Sequence, residues 1–295
     1  MSDLRKVIVT AANSAFYALV TDAVASIRDK PEGRPIPMVI FDVGLTESER
    51  EALRGYDVGF VEPGWDYSLQ SPAPQWFKAM TARTRIPHWV PGYDLYLWLD
   101  SDAWVQRWDT IKLLFAAAQT HGFAVVAEAD RAYPDAQASD SQGSLISAME
   151  GRLANLRNFF GDIRPQRYAN QATLNCGVFA AKSDSPIWML WPRLMATALA
   201  SKRTHNFFFA EQTAMNVALL SGEVPFARLP AQHNWLLTGA LPRVGADSQL
   251  VHPDFPHEPL GIIHRAANTK FLHHRLRDLD GRETAVGTGY RRSAP

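Results

Sequence analysis

The sequence has a single cysteine, Cys176, among its 295 residues. One cysteine excludes an internal disulfide framework and a zinc site built from several thiolates, and it favours a reducing compartment, so we expect a cytoplasmic protein. A net charge is also lacking, because 30 Lys and Arg residues balance 30 Asp and Glu residues. A neutral chain has no overall field that attracts nucleic acid, so we expect no nucleic-acid partner.

Long apolar runs are missing as well. The run near the N-terminus is shorter than the apolar core of a signal peptide, and no run has the length of a membrane span. We therefore expect no transmembrane segment, and the sequence leaves open whether its C-terminal tail touches a membrane surface. Hydrophobic residues form 46% of the chain and charged residues 20%, which is typical of a folded protein with a sizeable core.

Strand and helix patterns alternate along most of the chain. Apolar stretches at Lys6–Ala12, at 37–44, at 58–64 and at 124–130 read as strands, and helical patterns separate them. Such alternation predicts an α/β sheet with right-handed crossovers. Leu174–Lys182 also reads as a strand, and the glycine inside it, Gly177, predicts a bulge or a close approach of another group to the backbone.

The stretch LYLWLDSDAWV, residues 95 to 105, carries the clearest functional signal. Alternating apolar and aromatic residues predict a buried strand that ends at Asp100, Ser101 and Asp102. Two carboxylates beside a core need a partner, and the carboxyl ends of parallel strands are where α/β sheets bind ligands. A divalent cation that carries a phosphorylated ligand satisfies both conditions. The alternative is an acidic turn that is simply solvated.

Further polar residues follow other predicted elements. Small residues after the first strand let a ligand approach the backbone, whereas the basic residues of the helix at 75–86 either deliver a cation to phosphates or form a solvated face. A helix at 207–220 carries an acid and a glutamine, and an apolar strand near residue 262 leads to a histidine and a lysine. The residues concerned are Thr10, Ala11, Asn13, Lys78, Arg83, Arg85, Glu211, Gln212, Asn216, His264 and Lys270.

The order of these segments resembles that of the GT-A-fold glycosyltransferases, and most of all glycosyltransferase family 8. The resemblance extends over roughly residues 6 to 271 and includes an hhhhDxD strand, an NxGV strand, an acid-Gln helix and a terminal His-x5-Lys. It implies a single GT-A, Rossmann-like domain over residues 1–272 with a mixed, mostly parallel sheet flanked by helices. Residues 273–295 are then a C-terminal tail, which we expect to be loosely held.

The resemblance also implies roles for individual residues. The DxD acids, Asp100 and Asp102, and His264 would hold Mn²⁺ or Mg²⁺, with manganese favoured by the imidazole nitrogen and Asp102 the better candidate of the two acids. A nucleotide-sugar donor, with UDP as its expected nucleotide, would be bound by Thr10, Ala11, Asn13, Lys78, Asp100 and Lys270. The sugar and its anomeric carbon would face Asn175, Glu211 and Gln212. The family's closing motif departs here, because Ala267, Phe271 and Leu272 replace Gly, Pro and Trp.

The expected reaction moves a hexose from a nucleoside-diphosphate sugar, with retention, to a glycan, a lipid-linked or a small acceptor. On the acceptor side the candidates are Glu128 and Asp130, and the polar loop at 131–142 is the candidate lid. Two alternatives stay open at this point. One is a non-catalytic sugar-nucleotide or glycan-binding protein, which the altered 267–272 segment suggests, and the other is a haloacid-dehalogenase-type phosphatase with Asp100 as nucleophile.

Overall fold

A computed structural model describes residues 4–69, 72–133, 137–139, 145–161, 168 and 171–290. In chain order its strands are β1 Lys6–Ala12, β2 Met38–Asp42, β3 Gly59–Val61, β4 Leu95–Leu99, β5 Ala103–Val105, β6 Phe123–Ala127, β7 Gln137–Ser139, β8 Leu145–Ser147, β9 Leu174–Lys182, β10 Ala227–Leu229, β11 Trp235–Leu236, β12 Arg243–Val244, β13 Leu250–Val251, β14 Ile262–His264 and β15 Arg277–Asp278. The α-helices are Tyr17–Arg28, Glu47–Arg54, Phe77–Arg83, Ile86–Trp89, Trp108–His121, Ala148–Phe160, Ile187–Leu199 and Ala210–Leu220.

A seven-stranded sheet forms the centre of the molecule, with the strand order β10-β6-β9-β4-β1-β2-β3. All neighbouring strands are parallel except β9, which runs antiparallel between β4 and β6. The prediction of a mixed, mostly parallel sheet flanked by helices is therefore confirmed. Because β9 is antiparallel, its first residues lie beside the carboxyl ends of β4 and β6, where ligands of α/β sheets bind.

The sheet is buried on both faces, and β4 shows why its sequence is apolar throughout. Leu95, Leu97 and Leu99 pack on one face, in a cluster that includes the helices Tyr17–Arg28 and Trp108–His121. Tyr96 and Trp98 pack on the other face, in a second cluster that includes the helices Ile187–Leu199 and Ala210–Leu220. Alternate side chains of a strand point to opposite faces, so a strand with helices on both sides needs apolar residues at every position.

The bulge predicted at Gly177 is present. The pairing of β6 with β9 shifts between Val125 and Val126, whose partners are Phe179 and Asn175. Residues between these two partners therefore leave the regular ladder. One of them, Gly177, accepts a hydrogen bond at its carbonyl oxygen from the backbone N–H of Asp100, at 2.7 Å.

Two small sheets extend the fold beyond the carboxyl end of β4. In the first, β14 pairs with β11 and antiparallel with β5, and His264 lies opposite Ala103. In the second, β12 pairs with β13 and with β15. Within the described ranges, no helix is long and apolar enough to cross a bilayer.

The C-terminal segment is packed against the rest of the molecule as far as residue 290, so the expectation of a loosely held tail is wrong there. Leu276 is 1% exposed, and the carbonyl oxygen of Thr288 accepts a hydrogen bond from Trp104 Nε1 at 2.8 Å. Tyr290 donates to Asp29 at 2.6 Å. The expectation failed because polar and small residues can pack through a few apolar anchors that composition does not reveal.

Candidate functional site

The candidate site is built on the turn between β4 and β5. The strand β4 ends at Leu99, and a backbone hydrogen bond from Ala103 to Asp100, at 3.0 Å, closes the turn before β5 begins. Asp102 is buried in this turn, whereas Asp100 is partly exposed to the cavity beside it. The predicted strand and its two terminal acids are thus at the expected edge of the sheet.

Asp100, Asp102 and His264 form a group with the chemistry of a metal site. One ligand atom from each lies within 4.8 Å of the others. His264 Nε2 is 3.2 Å from Asp102 Oδ1 and 3.9 Å from Asp100 Oδ2. The pairing of β14 with β5 brings the histidine here.

A chain of amides orients the His264 ring. Asn234 Nδ2 donates to Asn175 Oδ1 at 2.9 Å, which leaves Asn234 Oδ1 to accept from His264 Nδ1 at 3.1 Å. With Nδ1 engaged in this way, Nε2 is the nitrogen that faces the carboxylates. Such an outer hydrogen bond is a usual feature of histidine ligands to metals. No local sequence pattern indicated Asn234, because its role depends on the pairing of β11 with β14.

Gly177 keeps the space beside His264 and Asp100 free of a side chain. A Cβ atom at this position would lie 2.5 Å from His264 Cε1 and 2.6 Å from Asp100 Oδ2, which is closer than atoms can approach. Two carboxylates and an imidazole in a pocket that needs glycine fit a hard divalent cation.

Lys270 contacts the same carboxylate. It lies on the 3₁₀ helix Ala267–Phe271, and its Nζ is 2.6 Å from Asp102 Oδ2 and 4.7 Å from the centre of the Phe16 ring. Burial raises the pKa of Asp102, but His264 and Lys270 outweigh it and hold that pKa well below its usual range. Burial lowers the pKa of His264, and the neighbouring Asp102 more than reverses this effect, so the net shift is upward.

Arg83 is the cation of the predicted basic helix that reaches the site. Its Nη2 is 3.2 Å from Asp100 Oδ1, its Nε is 2.8 Å from Glu211 Oε1, and its Nη1 donates to the carbonyl oxygen of Cys176 at 2.9 Å. The guanidinium also lies over the Trp98 ring, 4.6 Å from its centre. Arg83 belongs to the basic helix noted in the sequence, and helical phase decides which of its cations faces the site.

Glu211 contacts Arg83 and so helps to hold the guanidinium in its place beside the cavity. Its side chain has 0% exposure and pairs with Arg83, so the predicted contact of Glu211 with sugar hydroxyls stays a prediction. Burial raises the pKa of Glu211 to about 8, although the neighbouring Arg83 lowers it. The helix that begins at Ala210 places this carboxylate under the sheet edge and turns the next side chain, Gln212, toward the cavity.

Asn175 and Gln212 hold the bulged start of β9. Asn175 Nδ2 donates to Glu128 Oε1 at 2.7 Å, and its Oδ1 accepts from the backbone N–H of Gly177 at 2.8 Å. Gln212 Oε1 accepts from the backbone N–H of Cys176 at 3.2 Å. Burial also raises the pKa of Glu128.

These groups face one cavity of about 570 Å³. Most of the predicted site residues line it, namely Ala11, Asn13, Asp100, Asp102, Asn175, Glu211, Gln212, His264 and Lys270. Thr10 and Lys78 are not among the lining residues. Thr10 is on β1, and its side chain points to the same face of the sheet as that of Ile8. The side chain of Ala11 points to the opposite face. Lys78 Nζ lies over the Trp65 ring, 5.4 Å from its centre.

Aromatic rings form the outer wall of the cavity. Trp76, Phe208 and Phe209 are 40%, 52% and 46% exposed. The Phe208 ring is 6.3 Å from that of Trp76 and 5.0 Å from that of Phe209, in edge-to-face arrangements. Exposed aromatic groups that cluster beside polar side chains are typical of a ligand site.

The acceptor-side candidates separate in the structure. Glu128 lines the cavity, whereas Asp130 Oδ1 is 2.8 Å from His252 Nε2 and is absent from the lining. The candidate lid at 131–142 lies partly outside the described residues. Of its first residues, Tyr133 accepts a hydrogen bond at its hydroxyl oxygen from the backbone N–H of Leu236, at 2.9 Å.

Comparisons with known proteins give matches in structure but not in sequence. No family model matches the chain. No curated protein matches it either. Galactosyltransferase LgtC, solved with donor and acceptor sugar analogues, is 12% identical with a TM-score of 0.55, and the match covers 88% of this chain and 87% of that one. A variant of LgtC in which glutamate replaces an active-site glutamine also matches, with 14% identity, a TM-score of 0.53 and coverage of 88% and 87%.

Two further solved structures match over nearly the same length of this chain. The bifunctional glycosyltransferase WbbM is 15% identical with a TM-score of 0.57, over 90% of this chain and 46% of that one. Mouse xyloside xylosyltransferase 1 is 13% identical with a TM-score of 0.50, over 90% of this chain and 99% of that one. At these identities the likeness shows the fold, and the predicted GT-A fold is confirmed.

Proposed function

We propose that this chain is a metal-dependent glycosyltransferase that moves a hexose from a nucleoside-diphosphate sugar, with UDP as the expected nucleotide, to a hydroxyl acceptor. The observation that carries the proposal is the meeting of Asp100, Asp102 and His264 with Lys270 in one cavity of a GT-A fold. A cytoplasmic location, which the single cysteine favours, belongs to the same proposal.

The chemistry requires these groups because the leaving diphosphate gathers negative charge as the bond to the sugar breaks. Asp100, Asp102 and His264 would hold Mn²⁺, or Mg²⁺, and the metal when bound acts as a Lewis acid on the phosphate oxygens. Lys270 adds a point charge to the same phosphates. Ala11 and Asn13, which line the cavity beside β1, would contact the nucleoside. The side chain of Thr10 faces away from the cavity and that of Lys78 lies over the Trp65 ring, so no contact supports these two members of the predicted nucleotide set.

The sugar-binding side of the proposal involves Asn175, Gln212 and the Glu211–Arg83 pair. Gln212 lines the cavity, and LgtC, whose fold this chain shares, has a glutamine in its active site. Arg83 is positioned by Glu211 to donate to an oxygen in the cavity. We carry over retention of anomeric configuration from the family 8 resemblance.

The acceptor in this proposal is a glycan, a lipid-linked molecule or a small molecule that enters past the aromatic wall. Glu128, at the end of β6, is the carboxyl group on this side. LgtC was solved with both a donor and an acceptor analogue, which supports a two-substrate cavity in this fold. The neutral net charge of the chain supports our expectation of no nucleic-acid partner.

A non-catalytic binding protein is the remaining candidate that a sequence feature favours. The replacements at Ala267, Phe271 and Leu272 suggested that the segment no longer reaches the site. Lys270, which lies in this segment, nevertheless contacts Asp102 at 2.6 Å. This contact favours the transferase.

The proposal is tested by binding and turnover with defined ligands. UDP should stabilise the protein in a thermal-shift assay with Mn²⁺ present and much less with a chelator. UDP-glucose, UDP-galactose and UDP-N-acetylglucosamine should then be screened for hydrolysis and transfer. Asp102→Asn should lower turnover by about a hundredfold or more, because the metal loses a charged ligand.

Asp109→Asn is the matched control, because Asp109 is an exposed acid on the helix Trp108–His121, outside the cavity. It should keep wild-type turnover. Full activity in chelator-treated protein would overturn the metal-dependent mechanism. Metal-dependent UDP binding without hydrolysis or transfer across the panel would favour the binding protein.

A further inference from the structure

The two acids of the metal group differ in how their oxygens are occupied. Both oxygens of Asp102 are engaged, because Lys270 Nζ lies 2.6 Å from Oδ2 and His264 Nε2 lies 3.2 Å from Oδ1. At Asp100, Oδ1 accepts from Trp98 Nε1 at 2.8 Å and faces Arg83 at 3.2 Å. Its Oδ2 has His264 Nε2 as its ion-pair neighbour, at 3.9 Å.

Lys270 therefore occupies the place of a cation on Asp102. The contact is protected from water, since the side chains of Lys270 and Asp102 are 13% and 8% exposed. In this structure the ammonium neutralises the carboxylate that we propose as a metal ligand.

A divalent ion and the Lys270 ammonium conflict at this position. Hard divalent ions bind carboxylate oxygens at about 2.0 to 2.6 Å, so an ion on Asp102 Oδ2 would lie within about 5 Å of Nζ if the lysine stayed. Two positive charges this close repel strongly where solvent is largely excluded. Metal entry at Asp102 thus requires Lys270 to move.

The surroundings of Lys270 allow such a move. The lysine stem is long and flexible, and the residue belongs to a short 3₁₀ helix in which no residue is buried. The Phe16 ring, 4.7 Å from Nζ, already contacts the ammonium and can keep this contact once Lys270 leaves Asp102. Phe16 and Lys270 both line the cavity, so a phosphate there is within reach of the lysine.

We propose that Lys270 is the internal counter-ion of Asp102, and that it exchanges Asp102 for the diphosphate when the metal binds. The inference rests on the proposed function and adds a coupling to it. Metal alone binds weakly because it must displace the ammonium without a new partner for it. Metal together with a nucleoside diphosphate binds well, because the phosphates receive the displaced charge.

The test is a Lys270→Met variant, which keeps the length of the side chain and removes its charge. Mn²⁺ binding is measured by titration calorimetry and by the electron paramagnetic resonance signal of free Mn²⁺, with and without UDP. In the absence of UDP, Lys270→Met should bind Mn²⁺ about tenfold more tightly than the wild type, because the opposing charge is gone. The factor by which UDP tightens Mn²⁺ binding should fall by a similar amount.

Two further variants separate charge from other effects. Lys270→Arg keeps the positive charge and should bind Mn²⁺ alone as weakly as the wild type. Lys112→Met removes a lysine on the molecular surface, where it pairs with Glu32 at 3.3 Å, and should leave both affinities unchanged.

Unchanged or weaker binding of Mn²⁺ to Lys270→Met without UDP overturns the counter-ion inference, and the proposed function stands if the wild type still binds UDP in a metal-dependent way. A simple phosphate ligand at position 270 would give that result, since its loss weakens UDP binding and leaves the free metal site unaffected. If the wild type binds neither Mn²⁺ nor UDP, the proposed function and the inference both fall.

Discussion

Glu211 is an ionisable group without contact with water, and the Arg83 guanidinium lies 2.8 Å from its carboxylate. Burial of a charge is costly unless it is paired, and the buried Arg83 guanidinium has two acidic neighbours, Asp100 and Glu211. The arrangement fixes the guanidinium against the Trp98 ring and so fixes one oxygen of Asp100. Glu211 is in this sense a positioning residue for the proposed metal site.

The pKa of Glu211 predicts how stability depends on pH. The pKa is raised from 4.5 to about 8 in the folded protein. The folded state therefore holds this proton more tightly than the unfolded state, and the resulting stability is present below pH 4.5 and is lost as the pH rises through 8. As the pH rises from 5 to 8, this one group should lower the free energy of unfolding by about 3 to 4 kcal/mol.

Glu211→Gln should remove that loss, because an amide of the same size does not titrate. The measurement is urea unfolding of both proteins at pH 5 and pH 8, and the stability of the variant should fall less between the two values than that of the wild type. Glu223→Gln, at an exposed acid after the same helix, is the control and should follow the wild type. Equal pH dependence in all three proteins would show that Glu211 is ionised in the folded state at low pH.

At the scale of elements, the strands that carry the site were predictable and their mutual placement was not. The β4 strand and its two acids follow from local alternation of apolar residues, and the bulge of β9 follows from Gly177. The position of His264 depends instead on the pairing of β14 with β5, a contact between segments about 160 residues apart. Nothing in the local pattern of either strand specifies that register.

The basic helix gives a second case. Its sequence offered several cations, and the structure directs Arg83 to Asp100 while Lys78 lies over Trp65. Residues five apart on a helix point in different directions, so one residue of uncertainty in the helix start changes which cation faces the site. Sequence reasoning identified the helix and its charge, and packing selected the residue.

The aromatic wall belongs to the segments that precede two helices, Phe77–Arg83 and Ala210–Leu220. We predict that Phe208→Ala lowers kcat/KM for transfer by about tenfold, because an aromatic platform for the acceptor is lost, and leaves UDP binding unchanged. The measurement compares transfer to aryl and alkyl glycosides with hydrolysis of the same donor. Transfer should decrease much more than hydrolysis.

Phe255→Ala is the control for this prediction, because Phe255 is 83% exposed and does not line the cavity. It should behave as the wild type in both reactions. An equal decrease of transfer and hydrolysis in Phe208→Ala would place the ring on the donor side instead.

At the scale of the whole molecule, the metal turn is supported from segments far apart in sequence. Trp104 follows Asp102 by two residues, and its ring packs against Tyr290 at 5.4 Å between centres. On the other side of the turn, the backbone N–H of Arg265 donates to the carbonyl oxygen of Asp102 at 2.9 Å, while the Arg265 side chain reaches Asp22 at 3.0 Å. The C-terminal segment thus contributes to the position of the site. The division of the chain after residue 272 remains a proposal.

This support predicts that the C-terminal segment contributes to global stability through Leu276. Leu276 is 1% exposed and packs in a cluster with Trp104, Trp235 and Ile263. Leu276→Ala should lower the free energy of unfolding by about 3 kcal/mol, from lost burial and the cavity that remains. Leu279→Ala in the same segment, at a residue that is 49% exposed, should change it by less than about 0.5 kcal/mol. Urea unfolding of both variants separates the two cases, since a loosely held segment would give a small change at both positions.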